Sequence, residues 1–309
     1  MGLVVLLCAS CKSSEPTMSG ENELPEKEGM AAGLPYNEAS LLWQIWKRGS
    51  DTPPSYLYGT IHIISSADFF MGSNVQEKLE LSDRLVMELD FDDMDLAAMA
   101  MSGLLPDNTT IMDYLSEDDY EFVVQMFSDS IGLSRTQFEG VYGRMKPLFL
   151  QQLIVYKFLG ENPMSYENDF NETAGTNNIE TLGFETFKEQ LDFLDQLPLE
   201  EQFEDLLEAL RNWNETKRQF AELVSAYRSQ DLEALNQLIE VEMENPKMVE
   251  LLLDKRNKNW IPKFIEWIEM GNSFFAVGAG HLGGQYGVIN LLREAGYEVW
   301  PHPIGDIIE

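Results

Sequence analysis

Two short stretches of this sequence share one design and constrain the fold more than any other feature. Residues 56–64 are YLYGTIHII and residues 274–282 are FFAVGAGHL, so each is an apolar, β-branched and aromatic run that contains Gly-x-x-His. Such a run predicts a buried strand, and the glycine marks a place where the backbone turns sharply or approaches another group closely. Because open α/β sheets bind ligands at the carboxyl ends of their strands, we expect His62 and His281 to share one site.

The composition limits the kinds of partner that the chain can have. Its 309 residues include 53 acidic and 21 basic ones, which gives a formal net charge of −32. Nucleic acids and anionic membrane surfaces bind cationic patches, so this balance argues against both as partners. Both cysteines lie within the first eleven residues. We therefore expect neither a disulfide nor a thiolate metal ligand in the folded part.

The first eleven residues resemble a bacterial lipoprotein signal. Residues 3–9 form an apolar run too short to span a bilayer, and small residues precede Cys11. We predict that residues 1–11 are a signal with its lipobox, that Cys11 is lipidated, and that residues 12–36 are a flexible tether. The chain would then be a cell-envelope lipoprotein, held to a membrane through this anchor alone. An ordinary cleaved signal or a meaningless tail are the alternatives, because no basic residue precedes the run and Cys8 stands where an aliphatic residue is usual.

The remaining chain, residues 37–309, predicts one α/β domain. Apolar runs indicate a hairpin of residues 41–47 and 55–63, with further strands at 84–90, 179–184, 274–282 and 297–300. Helical patterns indicate helices at 75–81 and 286–295, and mainly helical insertions at about 94–176 and 187–270. Ser116 precedes three acidic residues and predicts a helix start. Four or five core strands therefore come from scattered parts of the sequence.

Histidines and acidic residues at strand ends point to hydrolytic metal chemistry. Imidazole is a good ligand for zinc, manganese, cobalt or iron, and hydrolytic sites add one or two carboxylates. Glu88 and Glu185 each lie at or just past the end of a predicted strand. One of them would complete the metal site with His62 and His281, and the other would act as a general base. The sequence does not decide which glutamate does which.

Each residue also has a simpler interpretation. A histidine near a strand end is more often structural than a ligand, Glu88 alone would be a strand-end charge, and Glu185 alone would be a helix N-terminal residue. His302, between two prolines, is predicted to lie in a surface loop.

Residues 278–283 match the dinucleotide pattern G-x-G-x-x-G. Only about one helix and one strand follow it, so we reject nucleotide binding.

An ordered set of motifs resembles the TraB/GumN family, whose animal members include the TIKI proteases. The set covers nearly all of residues 41–300 and is far more specific than any single motif. Its members, in order, are Leu42-Trp43, Tyr56 to His62, Met87 to Asp90, Gly183 to Thr186 with Gln190 and Leu197-Pro198, Lys255-Arg256-Asn257 with Trp260, and Val277 to Gly284.

The resemblance implies a fold, an activity and a set of site residues. The fold is of the erythromycin-esterase-like and ChaN-like kind, an α/β architecture with a central mixed β-sheet flanked by helices and a large helical insertion. The implied activity is that of a metal-dependent peptidase. His62 and His281 would be metal ligands together with Glu185, while Glu88, Glu185 and Arg256 would be catalytic.

The resemblance also bears on the two glycines and on the ion. Gly59 and Gly278 would be the glycines of the cofactor site. Manganese, cobalt and zinc all suit such a site, and Arg256 would bind a substrate carboxylate, polarise a carbonyl or pair with a glutamate. Gly280 departs from the family pattern, in which alanine is common at that position.

Two functions from different classes follow. The first is a cell-envelope metallopeptidase in which an ion held by His62 and His281 acts on a peptide or small polypeptide. The second is a lipoprotein without catalytic activity that sequesters a peptide, a metal or haem in the same cleft. Turnover distinguishes them.

Overall fold

The computed structural model of the chain describes residues 40–49, 52–90, 101–242 and 246–308. At its centre is one six-stranded sheet. We number its strands β1 to β6 in chain order: Leu42–Lys47, Ser55–Thr60, Arg84–Leu89, Glu180–Glu185, Ser273–Gly278 and Tyr297–His302. Across the sheet the order is β4-β3-β5-β2-β1-β6. The neighbours from β4 to β2 pair in parallel, whereas β1 pairs antiparallel with β2 and with β6. The predicted α/β class with a mixed central sheet is confirmed.

The carboxyl ends of four neighbouring parallel strands lie at one edge of this sheet, which we call the carboxyl edge. Because β2, β3, β4 and β5 run parallel, their carboxyl ends lie side by side. His62 follows β2, Glu88 lies near the end of β3, Glu185 is the last residue of β4, and His281 follows β5. Segments far apart in the sequence are thereby brought to one place.

Apolar layers cover both faces of the sheet, because successive residues of its central strands alternate between them. On β2, Leu57 belongs to the same buried cluster as Trp260. Its neighbour Tyr58 points to the opposite face, where its ring packs against Tyr166 and Phe170. Strands buried on both faces have continuous apolar sequences, which is why these runs were recognisable.

Helices surround the sheet and form the insertions between its strands. Ser116 Oγ accepts a hydrogen bond from the backbone N–H of Asp119, so the predicted helix start at Ser116 is confirmed. The longer helices of the described residues are Ser73–Glu80, Glu117–Met126, Pro147–Leu159, Tyr166–Asn177, Phe187–Leu194, Leu199–Arg211, Trp213–Arg228, Leu232–Glu242, Lys255–Met270 and Val288–Glu294. Shorter helical turns are Ile111–Asp113, Phe127–Ile131, Arg135–Gln137, Phe138–Tyr142, Pro246–Val249, Glu250–Asp254 and Ala279–His281.

The helical insertions have a hydrophobic core of their own. It joins residues from both sides of β4 in the sequence, among them Phe127, Phe138, Leu150, Phe203 and Leu206. This core stabilises the helices without relying on the sheet. Within the described residues, every helix is too short or too polar to serve as a membrane span.

Two very short sheets were not predicted, since strands of two residues produce no recognisable periodicity. Ile63–Ile64 pairs antiparallel with Met164–Ser165, and Met71–Gly72 pairs with Ile307–Ile308. The first pair matters for the site, because it fixes the start of the helix Tyr166–Asn177 beside His62. A backbone hydrogen bond of 3.1 Å from Tyr166 N to His62 O adds to this connection.

The predicted hairpin of β1 and β2 is confirmed, and other boundaries shift by a few residues. The strand predicted at 179–184 runs from Glu180 to Glu185, and the helix predicted at 286–295 is Val288–Glu294. The loop prediction for His302 was wrong, because β6 continues to it. Pro301 is compatible with that strand since β6 lies at the edge of the sheet. The predicted signal and tether, including Cys11, lie outside the described residues.

Candidate functional site

Three of the residues predicted from the sequence approach one another at the carboxyl edge. Glu88 Oε1 lies 3.5 Å from Nε2 of His62 and 3.7 Å from Nε2 of His281. Glu88 and His281 are buried, whereas 24% of the His62 side chain is exposed. The cluster is therefore open to solvent on the His62 side.

Gly278 allows this approach because β5 lies between the strands that carry Glu88 and His62. Its backbone N–H donates to Glu88 Oε1 at 2.8 Å. A Cβ atom on Gly278 would lie 2.9 Å from His62 Nε2 and 3.3 Å from Glu88 Oε1. At Gly59, a Cβ atom would instead meet apolar atoms of Ala279 and Leu282. Gly278 is thus part of the cluster itself, while Gly59 allows the loop carrying His281 to pack closely.

His62 is held by a carboxylate that the sequence analysis missed. Its Nδ1 lies 2.7 Å from Oε1 of Glu167, which also accepts a 2.7 Å hydrogen bond from Thr60 Oγ1. Ser165 Oγ donates to the other oxygen of Glu167 at 3.2 Å. The backbone of His62 has a φ of 57°, in the left-handed region that is uncommon for residues other than glycine.

These contacts decide the chemical state of the His62 ring. Since a carboxylate only accepts hydrogen bonds, Nδ1 carries a proton and Nε2 faces Glu88. Burial by itself would lower the pKa of His62, but the negative charges of Glu167 and Glu88 outweigh it and raise the pKa to about 9. Without a bound cation, His62 is therefore an imidazolium at neutral pH.

His281 is held by an amide instead. Its Nδ1 lies 2.7 Å from Asn257 Oδ1, and Asn257 Nδ2 donates to the backbone oxygens of His281 and Tyr286. The donation from Nδ1 leaves Nε2 of His281 as an acceptor, 3.2 Å from Nη1 of Arg256. Burial, together with the positive charge of Arg256, lowers the pKa of His281 to about 3. This imidazole is therefore neutral at physiological pH.

Arg256 joins the acidic residues to His281. Its Nη2 lies 2.6 Å from Glu88 Oε2, and its Nε donates to Glu185 at 2.9 Å. Its guanidinium also stacks over the Trp260 ring, 4.9 Å from the ring centre. Burial would raise the pKa of Glu88, but the groups around it, led by Arg256, together outweigh burial and hold the pKa well below its usual range. Burial dominates at Glu185 and raises its pKa, although Arg256 opposes the shift.

Gln190 contributes a polar atom whose partner is absent from the described residues. The helix Phe187–Leu194, capped by Thr186, brings Gln190 Nε2 to 3.2 Å from Glu88 Oε2. Gln190 is 8% exposed, and its Oε1 is buried without a hydrogen-bond partner among the residues that the structure describes. Buried polar atoms are normally satisfied, so a bound molecule or water would complete this part of the site.

The donor atoms suit a divalent metal ion in kind. Imidazole nitrogen and carboxylate oxygen are ligands for zinc, manganese and cobalt. Bonds of about 2.1 Å to a tetrahedral ion put neighbouring donors roughly 3.4 Å apart. The separations of 3.5 and 3.7 Å from Glu88 Oε1 to the two Nε2 atoms are close to that value.

The side chains would have to adjust before an ion could enter. In the described part of the chain, no group of three or more His, Cys, Asp or Glu residues is already arranged as a metal site. Arg256 contacts His281 Nε2 and would have to release it, which is compatible with its separate bonds to Glu185. A metal ion would also replace the proton on His62, since ligation requires a neutral imidazole.

The structure distributes the predicted residues over two roles. Glu88 is the carboxylate beside the two imidazoles, whereas the hydrogen bonds of Glu185 go to Arg256. The geometry therefore favours Glu88 for the ligand position that the sequence analysis gave to Glu185. Whether either glutamate, Gly59, Gly278 or Arg256 takes part in function stays a prediction.

Glu167 was missed because its position in the sequence looks ordinary. It stands in the first turn of a helix, where an acidic residue needs no further explanation than the helix dipole. Asn257 and Gln190 were part of the family motifs but received no role. Asn257 follows Arg256 directly in the sequence, and Gln190 follows the strand that ends at Glu185. These positions were the signal that could have indicated their place in the site.

Comparisons with known proteins identify the family of the chain. A sequence model of the TraB/PrgY/gumN family matches residues 41–301. The chain belongs to that family. It is also similar to a curated protein named metalloprotease TIKI homolog from Amphimedon queenslandica, with 24% identity over 84% of this chain and 61% of the relative. Metalloprotease TIKI2 from Xenopus tropicalis is 25% identical over 88% of this chain and 62% of the relative.

The extent of these matches limits what they transfer to this family member. The chain spans about 60% of the length of these curated relatives. No solved structure gives a significant match. Both relatives bear the name metalloprotease, and that activity comes to this chain only as a proposal.

Proposed function

We propose that this chain is a metal-dependent hydrolase that cleaves peptides at the carboxyl edge of its sheet. Membership of the TraB/PrgY/gumN family and similarity to two metalloproteases support a hydrolytic reaction. The observation that carries the proposal is the approach of two imidazole Nε2 atoms to one oxygen of Glu88. Each imidazole is oriented by an acceptor at its Nδ1, as is usual for histidines that bind metals.

The residues of the cluster would have separate roles in peptide hydrolysis. His62, His281 and Glu88 would hold the ion, which when bound supplies a Lewis acid beside the scissile carbonyl. Arg256 Nη1, released from His281, would donate to the carbonyl oxygen as negative charge develops there. Glu185, whose pKa is raised, would move a proton between water and the leaving amine. The free Oε1 of Gln190 would accept from a substrate N–H.

Sequestration without hydrolysis is a second candidate, and one observation favours it. Arg256 already neutralises Glu88 and occupies the acceptor atom of His281. A site balanced in this way could hold a peptide through hydrogen bonds and never bind an ion. The experiments below separate the two functions.

The proposal includes a location at the cell envelope. It is supported by the small residues before Cys11, which would be the lipidated residue, and by the polar tether that follows. The negative charge would keep the domain away from anionic lipid head groups, so the anchor would be the only membrane attachment. Metabolic labelling with a radioactive fatty acid, compared between wild type and Cys11→Ala, tests this part.

The metal content of protein purified without chelators tests the shared site directly. We expect about one equivalent of manganese, cobalt or zinc in wild type and a large loss in His62→Ala and in His281→Ala. His302→Ala is the matched control, because His302 ends the edge strand β6, which β1 separates from β2. Equal metal content in all four proteins would contradict the proposed site.

Cleavage of a peptide library, with added manganese, cobalt or zinc, tests the reaction. We expect cleavage by wild type and a loss of at least about 100-fold in Glu88→Gln and Glu185→Gln, in line with the usual size of acid–base contributions. Glu161→Gln, which changes an exposed glutamate, is the control. Binding of peptides without any cleavage would favour sequestration.

A further inference from the structure

A cavity lies beside Asn257, the residue that holds Nδ1 of His281. It has a volume of about 220 Å³ and is bounded by the helix Leu232–Glu242, by residues 249–257 and by the loop 280–286. Asn257 belongs both to its wall and to the site, because Asn257 Oδ1 holds Nδ1 of His281. A molecule bound in the cavity would therefore touch the residue that orients a candidate metal ligand.

Glycines keep this cavity open. A Cβ atom on Gly280 would project between Ile239 and Leu253, 3.0 Å from Ile239 Cδ1 and 3.8 Å from Leu253 Cδ2. A Cβ atom on Gly283 would overlap the side chain of Asn236. Even one added methyl group at Gly280 would reduce the space that a ligand can occupy.

The lining of the cavity indicates the chemistry of its ligand. The aliphatic residues of the lining are Ile239, Val249 and Leu253, and its polar residues include Asn236, Asp254 and Asn257, whose amide already bonds to His281 and Tyr286. Among the described residues, none of those that line the cavity is a lysine, arginine or histidine. The cavity is smaller than the 300–1,000 Å³ or so that encloses a drug-sized ligand, so it suits a single amino-acid side chain.

We infer that this cavity binds one basic side chain, lysine or arginine, of a peptide. The aliphatic stem would pack on Ile239 and Leu253, and the cationic end would reach the carboxylate of Asp254. The net charge of −32 would favour the approach of basic peptides. The inference rests on the proposed peptidase function for its choice of a peptide, and it names a substrate class for that function.

Equilibrium binding tests this inference without requiring turnover. The probes are capped pentapeptide amides of glycine whose central residue is lysine, norleucine or glutamate, titrated into the full chain by calorimetry with no metal added. We expect the lysine peptide to bind about tenfold more tightly than the norleucine peptide, and the glutamate peptide to bind most weakly.

Two variants act on different features of the cavity. Asp254→Asn should reduce the preference for lysine over norleucine to about twofold or less, because it removes the charge alone. Gly280→Ala should weaken the binding of the lysine and norleucine peptides alike, by roughly threefold to tenfold, because the added methyl group takes up space in the cavity. Gly175→Ala is the control, since a Cβ atom at Gly175 would meet no other atom within 4 Å. Circular dichroism of each variant checks folding.

The outcomes separate this inference from the proposed function. Lack of binding, equal binding of the lysine and glutamate peptides, or a lysine preference that survives Asp254→Asn would overturn the basic-side-chain cavity. Gly280→Ala gives a second test if Asp254→Asn does not fold, and unchanged lysine binding there would also overturn it. Lysine-selective binding, together with no cleavage of the peptide library in the presence of added metal, would reject the peptidase and keep the cavity. Cleavage of the library without any preference for lysine in binding would keep the peptidase and reject the cavity.

Discussion

The two Gly-x-x-His segments of this protein have the same sequence design and nearly equivalent positions, but different surroundings. They follow neighbouring parallel strands, with Thr60 opposite Gly278 in the register. The backbone of His62 is in the left-handed region. Its side chain is partly exposed and is held by a carboxylate. His281 lies in a tight helical turn, is buried and is held by the amide of Asn257.

The difference in the group at Nδ1 gives the two imidazoles different charges. With Glu167 beside it, His62 has a pKa raised to about 9, whereas burial and Arg256 lower the pKa of His281 to about 3. In the metal-free protein, Nε2 of His62 is therefore a hydrogen-bond donor and Nε2 of His281 is an acceptor. A repeated motif therefore fixes where a side chain lies, while contacts from other elements fix what it can do.

Among the changes that test the difference between the two histidine segments, Arg256→Ala should have the largest effect on stability. Arg256 is the cation on the His281 side of the cluster. The variant would leave Glu88 and Glu185 buried without their partner, and we expect it to lower the free energy of unfolding by about 3–5 kcal/mol. Urea denaturation at pH 7 measures this change. Arg218→Ala, whose ion pairs are exposed, should cost far less. Equal costs for the two variants would show that the buried network is not formed in solution.

The glycines of the two motifs should respond differently to the same added methyl group. Gly59→Ala would crowd Ala279 and Leu282 and should lower the free energy of unfolding by about 1–3 kcal/mol. Gly278→Ala would press on the partly exposed ring of His62, so we expect a smaller stability loss and metal binding weakened by at least about tenfold. Denaturation and metal titration of both variants measure this. Unchanged metal affinity in Gly278→Ala would argue against a role of His62 in holding the ion.

The pH dependence of stability should show opposite contributions from the two histidines in protein treated with a chelator. His62 has a folded pKa of about 9, above its ordinary value of 6.5, so its contribution is present below pH 6.5 and is lost as the pH rises through 9. His281 has a folded pKa of about 3, so its contribution is present above pH 6.5 and is lost as the pH falls towards 3.

Glu167→Gln isolates the His62 half of this profile. The amide still accepts from Nδ1 but carries no charge, so the pKa of His62 should fall towards its ordinary value. We expect wild type to lose on the order of 1–2 kcal/mol of unfolding free energy between pH 6.5 and 9, and the variant to lose much less. Urea denaturation across this range, with NMR titration of the imidazoles, provides the measurement. An identical alkaline loss in both proteins would mean that Glu167 does not set the charge of His62.

Thr60→Val should have the smallest effect. It removes one of the hydrogen bonds to Glu167 while keeping the shape of the side chain, so we expect a cost of about 1 kcal/mol. Ser165→Ala removes the longer bond to the same carboxylate and also the N-cap of the helix Tyr166–Asn177, so it should cost more. Denaturation curves at pH 7 compare the two variants. A larger cost for Thr60→Val than for Ser165→Ala would show that Glu167 depends on β2 more than on the neighbouring short strand and the helix cap.

The sequence predicted the sheet better than it predicted the partners of the site. Runs such as that of β5 are apolar because both faces of the strand are buried, and this pattern is visible without any structure. The location of Glu88 and Glu185 near strand ends was visible for the same reason. Which of the two glutamates faces the histidines was not, since this depends on where the helix Lys255–Met270 places Arg256.

Glu167 shows the limit of local patterns. Its contact with His62 depends on the pairing of Ile63–Ile64 with Met164–Ser165, two strands too short to be recognised. The cavity beside His281 could not be predicted either, because it depends on the packing of the helix Leu232–Glu242 against a glycine-rich loop. Contacts between elements distant in sequence require the folded chain.

The direction of β1 decides on which side of the sheet the N-terminal segment is attached. β1 runs antiparallel to β2, and its first residue Leu42 pairs with Tyr58 near the carboxyl end of that strand. The chain therefore enters the sheet at Ser40 on the same side that carries His62 and Glu88. A lipid joined upstream of Ser40 through the predicted flexible tether would therefore be attached on the side of the sheet that carries the candidate site, while the tether would leave the domain free to rotate.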